Sequence, residues 1–355
     1  MSKPDLLRAF NNPIEQYFEQ AATMLAASQK EWQPATARQI VLDCALFRLY
    51  CYSSAHKHSM PVSGDDVVLI VYAMVNTASI LDLCPQSSMI ERLQQQGLSV
   101  YLMEWKAPQL EQSCFGIKVY LEQSVDVCVQ HIQSAHQLEQ VNLLGVCQGG
   151  VFALCYTALF PSKVRKLVPM VTPVNFHTEQ DTLSLWARYL DFEKLLHQGE
   201  NISGALLAQM FLALKPMTLS VQKYLDVADN LNKPEAGPLS EKFMAMERWI
   251  QTTPDQPAQV FREFVTLFYQ QNALYQGSLL LSGKAVTLQS IQSPIFNIYA
   301  QQDHLVPPES SMALAHAIPE NQYQDYAVNT GHIGMFVSQK SLACVPDAIA
   351  CFLRQ

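Results

Sequence analysis

The chain has 355 residues, 49% of them hydrophobic and only 15% charged, with a formal net charge of −8. That length supports one large core with an insertion, or two domains. An acidic balance without any basic run argues against nucleic acid as a partner, because phosphate recognition is built from clustered Lys and Arg. Nine cysteines, an odd number without a C-x-x-C pair, fit a reduced, cytoplasmic compartment better than a disulfide framework. No apolar run approaches the ~20 residues of a membrane span, so no transmembrane segment is expected.

Residues 12–30 carry Ile14, Tyr17, Phe18 and Ala21 on one helical face and read as an amphipathic helix, either a docking segment or an outer helix. Val41 to Tyr52 is strand-like, and Val67 to Met74 is a continuous apolar run suited to a buried parallel strand. A loop follows over 76–85. Helical periodicity from Ser88 to Gln96 leads into a strand over 98–103. Ile117, Tyr120, Leu121, Val125, Cys128 and Ile132 then mark a 3.6-period helix. The next strand, 141–144, is followed by a helix over 149–160 that Pro161 stops, and by a strand at 167–171.

Between residues 175 and 283 the rhythm breaks. Trp186, Phe192, Met210, Phe211, Trp249, Phe261, Phe264, Phe268 and Tyr269 punctuate helices and loops without strand alternation, and these aromatics read as core more than as ligand contacts. The strand–helix alternation resumes at 294–300, continues at 323–328 and closes with a helix over 341–352. The alternation, with a glycine-framed turn carrying Cys147 between the strand at 141–144 and the helix at 149–160, predicts an α/β-hydrolase fold: a mostly parallel central sheet with helices on both faces. The expected division is a catalytic core over 1–174 and 284–355, including the N-terminal helical segment, with a helical cap inserted at 175–283.

The chemistry centres on Gly145-Val146-Cys147-Gln148-Gly149-Gly150, a strand, a glycine-framed turn and a helix start. This is the nucleophile-elbow pattern with cysteine at its tip. In such folds the acid follows a late strand and the histidine follows the last one. Asp303 and His332 occupy those places. Cys147 is therefore the candidate nucleophile, His332 the base that takes or holds its proton, and Asp303 the group that orients the imidazole. Backbone N–H groups of Gln148 and of Val75 or Asn76 are the candidates for an oxyanion hole. His304, beside Asp303, and Asn76 are candidate substrate contacts. The remaining cysteines read as small core residues, and the other histidines show no ligand spacing, so no metal is expected.

The box around Cys147 resembles that of the catalytic subunit of class III polyhydroxyalkanoate synthases. So do Tyr72-Ala-Met-Val-Asn76, Leu81-Asp82, Thr172-Pro-Val174, Lys215-Pro216, Gln302-Asp-His-Leu-Val-Pro-Pro308 and Gly331-His-Ile-Gly334. The sequence departs from the family pattern at Glu104, where Asp begins an Asp-Trp-Gly run, at Asn175, where Asp is usual, and at Asn329-Thr330, where Pro-Gly is common. The resemblance implies polymerisation of (R)-3-hydroxyacyl-CoA, most often 3-hydroxybutyryl-CoA, with release of CoA and a covalent chain on Cys147. It implies no cofactor beyond the thioester substrate, a dissimilar accessory subunit, self-association and work at a polyester granule surface. The rival from the same fold is a cysteine hydrolase of dienelactone hydrolase or thioesterase type, which is compact and lacks a long cap. A non-catalytic granule scaffold is the rival from another class, and the intact Cys–Asp–His order speaks against it.

Overall fold

The computed structural model describes residues 32–52, 64–179, 182–192, 200–213, 236–281 and 283–355. The helix expected over 12–30 lies outside them. Eight strands form the central sheet: β1 (Gln39–Asp43), β2 (Phe47–Tyr52), β3 (Val67–Val71), β4 (Ser99–Trp105), β5 (Val141–Val146), β6 (Val164–Met170), β7 (Ile295–Ala300) and β8 (Tyr323–Val328). Their order is β1-β2-β4-β3-β5-β6-β7-β8. Only β2 runs against the rest, pairing antiparallel with β1 and β4. All other neighbours are parallel.

β3 shows why this sequence folds so. All five of its residues are fully buried, so neither face can be polar. Val67, Leu69 and Val71 enter one hydrophobic core and Val68 and Ile70 the other, as a period of two requires. The first core is closed by helices α2 (Asp126–His136) and α3 (Gln148–Leu159), the second by α1 (Met89–Gln95) and the terminal helix (Gln339–Arg354). Each fully buried aliphatic side chain contributes about 1.5–3 kcal/mol relative to exposure, so the five of β3 alone make the sheet's centre hard to open. Ser88 caps α1 by accepting from the Glu91 N–H at 2.9 Å.

Several expected elements differ from those observed. The strand expected over 41–52 is two strands, because the chain turns at Cys44, whose N–H donates to the Phe47 carbonyl at 3.0 Å. β3 ends at Val71 instead of Met74, and Met74 donates its N–H to the Gln148 side chain at 2.9 Å. The loop expected over 76–85 holds a 3-10 turn, Ala78–Leu81, and a strand, Asp82–Cys84. The long helix through Ile117 begins as a π-helical segment, Val119–Val125. The region 175–283 is not free of strand: Leu279–Leu281 pairs with Lys284–Val286 around Gly283, whose φ is +74°. Leucine runs suit strands and buried helices alike, so only that tight turn distinguishes them.

Between β6 and β7 lie the helices α4 (Thr182–Arg188), α5 (Gly204–Ala213), α6 (Ala236–Gln251) and α7 (Ala258–Phe264), the last continuing as a π-helix, Val265–Gln270. They are tied down at several points. The Trp249 indole N–H donates to the Thr77 carbonyl at 2.8 Å, the Gln259 N–H to the Ser113 carbonyl at 2.9 Å, and Glu263 accepts from the Ile117 N–H at 2.7 Å. Among the described residues no helix is long and apolar enough to cross a membrane.

Candidate active site

The strand order reverses at β3 and β5. Crossovers from these neighbours leave on opposite sides, opening a crevice at their carboxyl ends where ligands bind in open α/β sheets. Cys147 sits there, between β5 and α3. Its backbone has φ 53° and ψ −120°, a conformation costly for any residue with a Cβ. The turn holds because Cys147 donates its N–H to the Met170 carbonyl at 3.0 Å and its own carbonyl accepts from Gly150 at 2.9 Å. Val171, at the end of β6, is also left-handed, with φ 46°. Two strained residues thus lie at the carboxyl ends of adjacent strands.

Gly149 permits this turn. A Cβ there would press into the Val71 carbonyl and stand 2.6 Å from the Tyr72 carbonyl carbon, and neither is a side chain that can swing aside. We expect Gly149→Ala to lower stability by about 3 kcal/mol or more through overpacking against backbone. A urea denaturation midpoint within error of the unsubstituted protein's would contradict this.

His332 follows β8 and Asp303 follows β7. His332 Nδ1 and Asp303 Oδ2 are 2.7 Å apart, and both residues are buried. The other carboxylate oxygen of Asp303 accepts from the N–H groups of Leu305 and Val306, each at 2.9 Å. Three hydrogen bonds therefore fix the carboxylate and leave the imidazole one orientation. Burial works against charge on His332, but the attraction of Asp303 and of the Cys147 sulfur, with hydrogen bonds to both, outweighs it and raises the His332 pKa to about 10.

The N–H of Gln148 opens α3 and has no intrahelical acceptor. Val75 and Asn76 line the same cavity as Cys147, His332 and His304. Since the Met74 N–H is taken by Gln148, the donors that remain on this loop are those of the residues after it. The Asn76 side-chain oxygen accepts from the Thr77 N–H at 2.7 Å. Asp303 lies behind His332, outside the cavity surface.

The cavity measures about 240 Å³. Its outer wall comes from the helices between β6 and β7, with Trp186, Phe211, Trp249, Phe261, Phe264 and Tyr269 among its lining. Trp249 and Phe264 are core residues as expected and line the cavity as well, whereas Trp186, Phe211, Phe261 and Tyr269 are less buried and stand mainly in its wall. Phe268 is fully buried and does not line it. Tyr72 was missed as a site residue: it lines the cavity, and burial, then the nearness of Cys147, pushes its phenol well above the ordinary value. Among the described residues no cluster of His, Cys, Asp and Glu could hold a metal.

The departures at 175, 329 and 330 are structural ties. Asn175 accepts from the Asn272 side chain at 2.8 Å and from the His177 N–H at 3.0 Å. The Gln302 side chain donates to Asn329 at 2.8 Å, and the Thr330 carbonyl accepts from the Gln302 N–H at 2.9 Å.

A cysteine on a strained elbow, an imidazole locked to a buried carboxylate and this strand order define the class. Residues 66–339 match the alpha/beta hydrolase fold family. A thermophilic esterase from Thermogutta terrifontis superposes with a TM-score of 0.52 at 14% identity over 90% of this chain and 98% of its own. A thioesterase domain from the curacin biosynthetic pathway gives 0.50 at 15% identity, over 90% of this chain and 100% of its own. At those identities the likeness is of fold alone.

Sequence relatives narrow the class. The poly(3-hydroxyalkanoate) polymerase subunit PhaC of Allochromatium vinosum is 40% identical over 308 residues, 87% of this chain and 86% of its own. That of Synechocystis sp. is 41% identical over 316 residues, 86% and 81% respectively. The chain belongs to the PhaC family of poly(3-hydroxyalkanoate) polymerase subunits.

Proposed function

We propose that this chain polymerises (R)-3-hydroxyacyl-CoA, with 3-hydroxybutyryl-CoA as the first substrate to try, into a polyester with release of CoA. The observation that carries this reading is 40–41% identity to PhaC polymerase subunits across most of both chains, with the Cys147–His332–Asp303 grouping in place.

In the proposed mechanism the Cys147 thiolate attacks the thioester carbonyl. The tetrahedral oxyanion is held by backbone N–H groups of Gln148 and of Val75 or Asn76. CoA leaves as its thiol with the proton from His332, so the charge on the imidazole is spent at the moment it is needed. The hydroxyl of a second hydroxyacyl-CoA then gives its proton to His332 and attacks the acyl-Cys147 carbonyl. An ester forms, the thiolate leaves, and the extended chain, still a CoA thioester, can load Cys147 again. Thioester exchange at sulfur is nearly isoenergetic, and each ester bond made from a thioester drives elongation forward. His304 is proposed as a substrate contact at the cavity wall. The chemistry needs no metal or cofactor beyond the thioester substrate itself.

The apolar lining favours a hydroxyacyl acceptor over water, which distinguishes this reading from a cysteine hydrolase. The test is the product formed from 3-hydroxybutyryl-CoA. Insoluble polymer with stoichiometric free CoA is expected, whereas free 3-hydroxybutyrate alone would overturn the proposal. The proposal extends to a dissimilar accessory subunit, to self-association and to a cytoplasmic location at the granule surface. A lag in CoA release from the purified chain, abolished by adding the accessory subunit, tests the first of these.

A further inference from the structure

Gln256 stands out in the cavity wall. It is 1% exposed, and its side-chain nitrogen has no hydrogen-bond partner among the described residues. Leaving such a donor buried and unpaired is costly, and a group kept at that cost calls for an explanation. Two other polar groups of the lining are occupied. Thr253 donates its hydroxyl to the Ile250 carbonyl at 3.2 Å, and the Asn76 side-chain oxygen is taken by Thr77.

The position of Gln256 is rigid. Its N–H donates to the Ile202 carbonyl at 2.9 Å and its carbonyl accepts from the Ile202 N–H at 2.8 Å. On one side Asp255 accepts from the Gly204 N–H at 2.8 Å, and on the other Pro257 starts α7. The backbone that carries the amide is therefore held in place before any ligand arrives, on the wall contributed by the helical insertion, in the same cavity as Cys147.

What ligand suits an unpaired donor in a greasy wall? A polyester of hydroxyacyl units offers acceptors only along its length, one ester carbonyl per unit. A saturated acyl chain of equal length offers none beyond its thioester. We propose that the Gln256 side-chain amide donates a hydrogen bond to an ester carbonyl of the growing chain, making it a subsite that separates oligomeric hydroxyacyl chains from plain acyl chains. This rests on the polymerase reading above and adds to it a residue that selects the chain.

The test compares acylation of Cys147 by two CoA thioesters, one of a linear 3-hydroxybutyrate trimer and one of a saturated fatty acid of the same chain length. It uses the full chain and its Gln256→Met and Gln256→Glu variants. Methionine keeps the shape without the donor, and glutamate replaces the donor by an acceptor. Each variant should lower the ratio of trimer to fatty-acyl acylation rate at least tenfold. The Gln256→Met melting temperature should be equal to or above that of the unsubstituted protein, since an orphaned polar group has been removed. An unchanged ratio overturns the proposal. So does a Gln256→Met variant that melts lower and loses both rates together, because the amide would then be a structural hydrogen bond. Both readouts are taken at acylation, so they decide the role of Gln256 even if the unsubstituted enzyme releases free acid instead of polymer, the result that defeats the polymerase reading.

Discussion

Cys147→Ala is expected to lower CoA release from 3-hydroxybutyryl-CoA by at least about 10⁴-fold, since removing the nucleophile of such a triad leaves only binding and oxyanion stabilisation. The fold should survive. Cys147 is only half-buried, its backbone ties run through its N–H and carbonyl, and alanine keeps both. The far-UV circular dichroism and the urea midpoint should therefore match those of the unsubstituted protein while thiol release disappears. Turnover retained within tenfold would remove Cys147 from the chemistry.

Asp303→Asn should cost nearly as much, about 10³- to 10⁴-fold in kcat, by presenting His332 in the wrong tautomer while preserving the packing. It also carries a pH signature. The folded state holds a proton on His332 up to about pH 10, whereas an unfolded histidine loses it near 6.5. Between those values His332 holds a proton in the native chain that it lacks in the unfolded one, so its own contribution to stability falls as pH rises. The stabilisation is fully present below about 6.5 and is lost by about 10. The gap in urea midpoint between the unsubstituted chain and Asp303→Asn should accordingly narrow as pH is raised through that window. A gap that widened with pH would show that Asp303 does not hold the charge on His332.

The parts of this molecule governed by local rules were legible in the sequence. The apolar run from Val67 was legible as a buried strand, although it ends at Val71 and not Met74, and β8 begins and ends where its pattern places it, at Tyr323 and Val328. The elbow was legible because a strained turn between strand and helix admits few residues, and Gly149 must approach the backbone of Tyr72. Asp303 and His332 followed from chain order. Tertiary placement was not legible. Nothing local marks the Val119–Val125 and Val265–Gln270 segments as π-helical, because the change from an i+4 to an i+5 backbone partner is imposed by packing and not by residue type. Among the aromatics of the helical insertion, those in the cavity wall were not separable from core residues such as Phe268, because a cavity wall and a core have the same composition. Gln256 carried no signal at all, since its meaning depends on which neighbours fail to pair with it.

The two halves of the site hang from very different supports. Cys147 ends β5, fully buried along its length, while His332 follows β8, the outermost strand, where only Val328 of six residues is buried. Opening free energies vary across a fold and are lowest where burial is thin. Fraying of that rim withdraws the imidazole while the thiol stays anchored in an intact sheet. The enzyme would thus fall silent before it comes apart, and it would regain its activity when the rim closes again.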